Sequence, residues 1–217
     1  MMRTIPAAEA DKRVSHAPRD TRKRGLTHAD VMATGMAVLD AEGVVGLSLA
    51  GVAERLGVRP PSLYAHVEGL SGLTRDLAHA ATVEFGEVLR DSVLGRSGAD
   101  AVRSFAVAYR RWATGFPGRY EMTLLPIAPG DAERRAGARL ALGAVQAVIR
   151  GFGLDEDRAV QAGRSLRSAM DGFSRLENAD SMGRGDHDAD FTFLVELLID
   201  GIQQAGTAPG DVRRKDS

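Results

Sequence analysis

The segment Leu47-Ser-Leu-Ala-Gly-Val-Ala-Glu-Arg-Leu-Gly-Val-Arg-Pro-Pro-Ser-Leu-Tyr-Ala-His-Val67 carries the clearest structural pattern in this chain. Its first half predicts a helix over about residues 48–56, because apolar residues recur there at the spacing of one helical stripe: Leu49, Val52, Ala53 and Leu56. Gly57 follows at once, and glycine adopts at little cost the left-handed conformation that ends many helices.

A second short helix, opened by proline, is predicted at about residues 60–67. Pro61 suits the first helical turn, where a backbone amide has no partner in any case. Leu63 and Val67 lie four residues apart and predict the buried side of this helix. The other side chains then point outward: Arg59, Ser62, Tyr64, Ala65 and His66. Two helices joined in this way form a helix-turn-helix, whose second helix fits the major groove of DNA.

Composition narrows the class of protein. The chain has 217 residues, 44% of them hydrophobic, and no cysteine, which excludes disulfides, thiolate metal sites and cysteine nucleophiles. Apolar and polar residues do not alternate over any long run, so we expect helices rather than sheets. The sequence has neither an uninterrupted apolar run of membrane-helix length nor the apolar core of a signal peptide. We therefore expect a cytoplasmic protein with no membrane partner.

Positive charge is concentrated at the N-terminus, although the formal net charge of the whole chain is −1. Residues 1–25 carry seven basic and three acidic side chains. Such a segment is typical of a solvated, disordered leader. It is also typical of a basic arm that adds phosphate or minor-groove contacts when a DNA-binding domain docks. Both interpretations stay open, because a disordered arm can become ordered on DNA.

Helical patterns continue along the rest of the chain. Thr27 and Asp30 form a capping-box pattern that predicts a first helix ending at Glu42. Further helices are expected at about 70–89, 99–115, 119–124, 131–151, 155–178 and 188–204. The predicted organisation is a disordered basic arm over 1–25, a helix-turn-helix domain over 26–77, a larger helical domain over 78–205 and a flexible tail over 206–217.

The segment from Leu26 to Leu77 resembles the TetR family of bacterial transcriptional regulators. The positions that carry this likeness are Leu39, Gly43, Leu47, Ser48, Val52, Ala53, Leu56, Gly57, Val58, Leu63, Tyr64, His66 and Val67. The resemblance implies an all-α fold: an N-terminal three-helix DNA-binding domain, followed by a helical domain for ligand binding and dimerisation. It also implies a homodimeric repressor that binds a palindromic double-stranded operator and is released by a small hydrophobic ligand.

The C-terminal part is similar, more loosely, to a TetR subclass called the WHG domain. Tyr109-Arg-Arg-Trp-Ala, the turn from Pro117 to Tyr120 and Asp171-Gly-Phe-Ser-Arg-Leu-Glu177 carry this second likeness, together with Asp190-Phe and the apolar helix after it. The sequence departs from that subclass at Phe116 and at Met170-Asp171-Gly172, where histidines are common. Roles tied to those histidines are therefore not carried over.

We expect the DNA-binding surface to consist of Ser48, Arg59, Pro60, Pro61, Ser62, Tyr64 and His66. Ser48 is a predicted helix N-cap, and helix starts favour a phosphate. Tyr64 and His66 match family positions that contact the DNA backbone, which positions a helix without determining base preference. Arg59 and Ser62 are the candidates for base edges, since arginine can bridge O6 and N7 of guanine.

Each of these roles has a plainer alternative. Tyr64 can be a half-buried core aromatic, His66 a surface histidine without a DNA role, and Arg59 a solvated side chain. The two prolines have no polar side chain, so they can only shape the helix start or touch a thymine methyl group. Ala50 and Leu70 stand where many relatives carry a polar side chain and a phosphate-binding lysine. The alternative function is therefore a small-molecule-binding protein of this fold that has lost DNA binding.

Candidate ligand-binding residues lie in the C-terminal part: Phe105, Tyr109, Trp112, Phe116, Tyr120, Met170 and Phe173. Three of them, both tyrosines and the tryptophan, have a polar group that needs a partner when buried. Core packing is the alternative for each of the seven. The helices at 155–178 and 188–204 are the candidate dimer elements, with Ala159, Ala162 and Gly163 permitting close approach; here too, completing the monomer core is the alternative.

The sequence gives little support for an enzyme. It has no zinc-binding His-Glu-x-x-His pattern, nucleophile motif or phosphate loop. Asp186, His187 and Asp188, with Asp190 nearby, form a dense cluster of potential metal ligands. The cluster comes just before a helix, where capping and the helix dipole favour acidic residues in any case. We expect no catalytic residue, no cofactor and no metal.

Overall fold

The computed structural model describes residues 25–207. Within that range the chain is built from helices joined by turns and contains no strand, so the predicted all-α fold is confirmed. The predicted basic arm lies outside the described residues except for Gly25, as does the predicted tail from residue 208 onward. The helices are α1 (His28–Glu42), α2 (Leu49–Leu56), a 3-10 helix (Pro60–Ala65), α3 (Gly69–Ser92), α4 (Gly98–Gly115), α5 (Pro117–Leu124), α6 (Ala132–Arg150), α7 (Glu156–Asn178) and α8 (His187–Thr207).

Local capping fixes the first two helices where the sequence predicts them. Thr27 caps α1 in a reciprocal capping box: its backbone N–H donates to Asp30 Oδ2 at 3.0 Å, and the Asp30 N–H donates to Thr27 Oγ1 at 3.2 Å. Ser48 caps α2 by accepting from the Gly51 N–H at 3.1 Å. Gly57 ends α2 with φ 67°, in the left-handed region that glycine adopts most cheaply.

The second helix of the motif differs from the prediction in type and length. It is a 3-10 helix that ends at Ala65, not an α-helix that continues to Val67. Its hydrogen bonds span three residues, from Ser62 N to Arg59 O at 2.9 Å and from His66 N to Leu63 O at 2.8 Å. The segment is only six residues long and opens on two prolines, so no continuous ladder of α-helical bonds forms, although a bond of α-helical spacing, from Val67 N to Leu63 O at 3.0 Å, follows its end.

Helix α3 joins the two parts of the molecule. It runs without a break through the predicted boundary between residues 77 and 78, and it crosses α6 at very short range. A Cβ at Gly86 would lie 2.9 Å from the Gly137 carbonyl oxygen, and a Cβ at Gly137 would lie 2.8 Å from Val83 Cγ2. One continuous hydrophobic core therefore extends from α1 to α8.

Candidate nucleic-acid interface and ligand cavity

The 3-10 helix has one buried side and one exposed side. Leu63 is 0% exposed and Val67 is 5% exposed, so these two side chains form the buried side of the segment, which packs on α2. Tyr64, by contrast, is 63% exposed. Arg59, Pro60, Pro61 and Ser62 are exposed as well, and His66 is half-buried. This placement excludes the alternative in which Tyr64 is a core aromatic.

Arg59 is an available cation on this surface. Among residues 25–207 it forms no ion pair and no side-chain hydrogen bond, so its guanidinium is free for an outside acceptor. Ala50 and Leu70 are also exposed and add no charge here.

The acidic residues of the motif are largely neutralised by other partners. Glu42 pairs with Arg55, and Glu68 pairs with Arg75 at 3.1 Å. Asp40 pairs with Arg119 at 2.6 Å. Residues 26–77 carry six acidic and three basic side chains, and Arg119, from outside this range, offsets one of the three excess negative charges.

A cavity of about 830 Å³ lies between α3, α4, α6 and α7. Of the seven predicted ligand-binding residues, Phe105 and Tyr109 line it. The sequence did not predict the other lining residues, since most of them come from helices whose apolar stripes are typical of core: α3, α6 and α7. The apolar lining includes Phe85, Leu89, Ala138, Ala141, Leu142, Val145, Ile149, Leu154, Ala159 and Val160.

The remaining predicted ligand-binding residues lie elsewhere. Trp112 stacks on Phe85 at a centroid distance of 4.6 Å and donates from Nε1 to Glu84 at 3.1 Å. Phe116 packs beneath the Arg119 guanidinium. Tyr120 lines a smaller cleft of about 410 Å³. Met170 is fully buried in the core, and Phe173 packs edge-on against Phe191. These side chains stabilise the helix packing around the 830 Å³ cavity without lining it.

A chain of hydroxyl groups begins at Tyr109 in the wall of the cavity and leads away from it. Tyr120 donates its proton to Asp171, and the Tyr109 hydroxyl lies 3.2 Å from the Tyr120 hydroxyl. Because Tyr120 uses its proton on Asp171, Tyr109 is the donor of that second bond. Burial raises the pKa of Tyr109 to about 12 and raises that of Tyr120 above its ordinary value. Both phenols are therefore neutral near pH 7.

Helix α5 touches both the cavity and the N-terminal helices. Thr123 and Leu124 line the cavity. At the other end of α5, Arg119 binds Asp40 of α1 through two bonds of 2.8 Å and 2.6 Å, and Glu84 of α3 at 2.9 Å. Gly118 permits this contact, because a Cβ there would clash with the Leu39 carbonyl of α1.

The outer faces of α7 and α8 carry exposed apolar side chains. Phe193 is 71% exposed and Leu197 is 57% exposed, one turn apart on α8, and Leu176 is exposed on α7. The expected close approach at Gly163 needs correction: a Cβ there would lie 3.0 Å from Val145 Cγ1 of the same chain. Gly163 therefore serves the packing of α7 on α6, because the lining face of α7 turns inward.

The cluster before α8 acts in capping and ion pairing. Asp186 Oδ1 accepts from the backbone N–H groups of Asp188 and Ala189, both at 3.1 Å. Asp188 pairs with Arg110 at 2.7 Å, and His187 Nε2 lies 3.1 Å from the Gly183 carbonyl oxygen. Within the described part of the chain, no three His, Asp or Glu side chains are arranged to hold a metal ion, and no helix is long and apolar enough to cross a membrane.

Comparison with known proteins places these features in context. Residues 102–202 match the family described as Tetracyclin repressor-like, C-terminal domain; the WHG likeness is not confirmed. The HTH-type transcriptional regulator Rv0681 of Mycobacterium tuberculosis is 34% identical over 207 residues, covering 94% of this chain and 95% of that protein. The HTH-type transcriptional regulator YobS of Bacillus subtilis is 31% identical over 179 residues, covering 82% of this chain and 93% of that protein.

Solved structures share the fold. A TetR variant from Acinetobacter baumannii, in complex with minocycline, has a TM-score of 0.60 and 23% identity, and the match covers 85% of this chain and 100% of that one. Two helix-turn-helix regulators at more than 30% identity, matched over nearly their full length, establish the class of this protein.

Proposed function

The chain belongs to the TetR family of transcriptional regulators, and from that premise we propose that it is a ligand-released repressor that binds a palindromic operator as a homodimer. It is a DNA-binding protein and not an enzyme, as the class of its relatives establishes. We also propose that it acts in the cytoplasm, where its operator would lie.

The exposed side of the 3-10 helix carries the proposal. Its side chains are held outward by a buried pair, Leu63 and Val67, so that the segment presents a fixed surface without losing its own packing. We assign base contacts to Arg59 and Ser62, because an unpaired guanidinium can bridge O6 and N7 of a guanine. The other five of the predicted surface would contact phosphate or shape the approach: Ser48, Pro60, Pro61, Tyr64 and His66.

The apolar outer face of α7 and α8 supports a homodimer. Phe193, Leu197 and Leu176 would be covered when two copies pack these helices together into a four-helix interface. An interface around a twofold axis would place two 3-10 helices on the same side of the dimer. Their half-sites would then lie about 34–36 Å apart, or a multiple of that, which matches successive major grooves.

The cavity supports a ligand response. An apolar space of about 830 Å³ is large enough for a drug-sized molecule. The A. baumannii TetR structure, which shares this fold, contains minocycline. Helix α5 would carry the response, because it borders the cavity at Leu124 and is bound to α1 through Arg119. A ligand can release DNA only to the extent that it prefers the arrangement that does not fit the operator.

A selection on genomic DNA tests the proposal. The purified full-length chain is mixed with fragments of its own genome, and bound fragments are sequenced. We expect a pseudopalindromic sequence to be enriched, and its affinity to fall with rising salt as phosphate contacts require.

The matched control is the double variant Arg59→Ala with Tyr64→Ala, whose side chains are exposed and whose loss leaves the core intact. If the variant enriches the same fragments as strongly as the wild type, the 3-10 helix is not the DNA-binding surface.

A further inference from the structure

The hydroxyl groups that line the cavity already donate hydrogen bonds to other groups of the protein. Tyr109 donates to Tyr120, as described above. Thr82 donates to the Ala78 carbonyl oxygen at 2.6 Å, and Thr123 donates to the Tyr120 carbonyl oxygen at 2.7 Å. A hydroxyl has one proton to give. Apart from the exposed amide of Gln146, the uncharged side chains of the lining therefore offer a ligand only acceptors and apolar surface.

The cavity entrance has the opposite character. Three exposed arginines of the cavity lining, Arg150, Arg164 and Arg167, mark this entrance. None of them pairs with a carboxylate or donates a side-chain hydrogen bond to any residue of the described range. Other arginines of these helices do pair: Arg103 with Glu196 at 2.7 Å and Arg110 with Glu177 at 2.6 Å. The entrance is thus a local excess of unpaired positive charge.

Acidic groups near the cavity do not cancel this charge. Glu156 is the single acidic residue of the lining. Asp171, which does not line the cavity, already accepts from Tyr120 and lies 3.3 Å from Arg175 Nε. Three arginines against one glutamate leave the lining with a net charge of +2. An organic cation would meet that excess charge as it entered.

We propose that the ligand is an amphipathic organic anion, an apolar body that ends in a carboxylate. The body lies against Phe85 and Phe105, and the carboxylate accepts hydrogen bonds from Arg164 and Arg167 at the entrance. Arginine suits this role because its guanidinium presents parallel donors to a carboxylate. The inference rests on the proposed ligand response and adds the chemical class of the effector.

Pairs of compounds that differ only in charge test the inference. Decanoate is compared with decanamide, and 2-naphthoate with 2-naphthamide, by calorimetric titration of the full-length protein without DNA. We expect at least one acid to bind about tenfold tighter than its amide, the size of one charge-assisted contact. Higher salt should reduce that preference, because the arginines are solvent-exposed. If neither acid binds tighter than its amide, the inference is overturned.

Substitutions test whether Arg164 and Arg167 cause the preference for the acid over the amide. The double variant Arg164→Gln with Arg167→Gln should reduce the acid-to-amide ratio to about one while leaving amide binding unchanged. Arg111→Gln with Arg184→Gln is the matched control, because it also removes two positive charges and both residues are exposed, unpaired arginines of the described range that do not line the cavity. A ratio that falls equally in the control reflects the overall charge of the protein and would overturn the assignment to Arg164 and Arg167.

A separate measurement, the release of DNA, tests the proposed function independently of the ligand class. Release of DNA is measured on the operator fragment by fluorescence anisotropy with the same four compounds. An acid that binds selectively and releases no DNA would support the inference and contradict ligand-driven release. Release by the amides at the same concentrations as the acids would support ligand control and overturn the anionic class.

Discussion

The DNA-binding surface and the ligand cavity are built in opposite ways. The surface comes from the exposed side of one eight-residue segment, 59–66, together with Ser48, whereas the cavity collects side chains mainly from α3, α4, α6 and α7 across residues 82–167. The first needs only one buried pair to orient its side chains. The second exists only when four helices pack. The surface should therefore tolerate changes that leave Leu63 and Val67 in place, whereas the cavity should respond to changes throughout the core.

The largest effect is expected at the buried side of the 3-10 helix. Leu63→Ala should lower the free energy of unfolding by about 2–5 kcal/mol, because it removes a fully buried side chain and leaves a cavity. Tyr64→Ala, one residue away, should change the free energy of unfolding by about 0.5 kcal/mol or less, because its side chain is exposed.

Chemical denaturation of both variants measures the difference, and DNA binding of Tyr64→Ala should be weakened although its fold is intact. Equal stability losses in the two variants would mean that the 3-10 helix is not oriented as described.

The next effect is expected at the link between the two regions. Arg119→Gln should lower the free energy of unfolding by about 1.5–3 kcal/mol, since it breaks charge-assisted bonds to Asp40 and Glu84 that are partly shielded from water. Arg103→Gln is the matched control: Arg103 forms an equally short pair with Glu196, but on the surface, where solvent screens the interaction and such pairs contribute little to stability.

The same link should carry the ligand response. Arg119→Gln should retain ligand binding, yet a saturating ligand should release less DNA than from the wild type. Anisotropy with labelled operator gives both values. Full release from Arg119→Gln would remove Arg119 from the connection between cavity and DNA.

Arg59→Ala sharpens the assignment within the DNA-binding surface. We expect a loss of about 1–3 kcal/mol in discrimination at one base position of each half-site, with little change at the others. A binding profile over all single-base variants of the operator measures this. An unchanged profile would mean that Arg59 contacts phosphate or solvent only.

The smallest expected effect is a pH dependence of the free energy of unfolding, caused by Tyr109 in the cavity wall. Burial holds the pKa of Tyr109 at about 12, compared with 10.0 in the unfolded chain. The folded protein therefore keeps a proton that the unfolded chain releases, so this contribution is complete below pH 10 and is lost as the pH rises from about 10 toward 12. Its slope is at most about 1.4 kcal/mol per pH unit.

Tyr109→Phe should flatten that slope in denaturation curves recorded between pH 8 and 11. Tyr120, whose pKa burial also raises, remains in the variant and keeps part of the dependence. Identical slopes for the variant and the wild type would show that Tyr109 is more accessible than the packing indicates.

The sequence predicts features that depend on neighbouring residues. Thr27 with Asp30, Ser48 and Gly57 fix helix ends through bonds and backbone angles within four residues, and all appear as expected. The type of the second helix was harder to predict from the sequence, since the effect of Pro60 and Pro61 together depends on how few residues follow them before Val67.

The cavity could not be predicted in the same way. Phe105 and Trp112 lie seven residues apart on one stripe of α4, yet only Phe105 lines it, because the position of α6 and α7 decides which part of the stripe is covered. Gly163 likewise has no local signal that separates packing on a partner from packing on Val145. Such distinctions arise from tertiary contacts that periodicity does not specify.

Hydrogen exchange of the full-length protein, with and without the selected operator fragment, tests the central claim most directly. The account predicts that DNA slows exchange most strongly at the amides of residues 62–67 and at the start of α2, while the cavity-lining turns of α6 and α7 change less. Unchanged exchange at residues 62–67 in the presence of saturating DNA would contradict it.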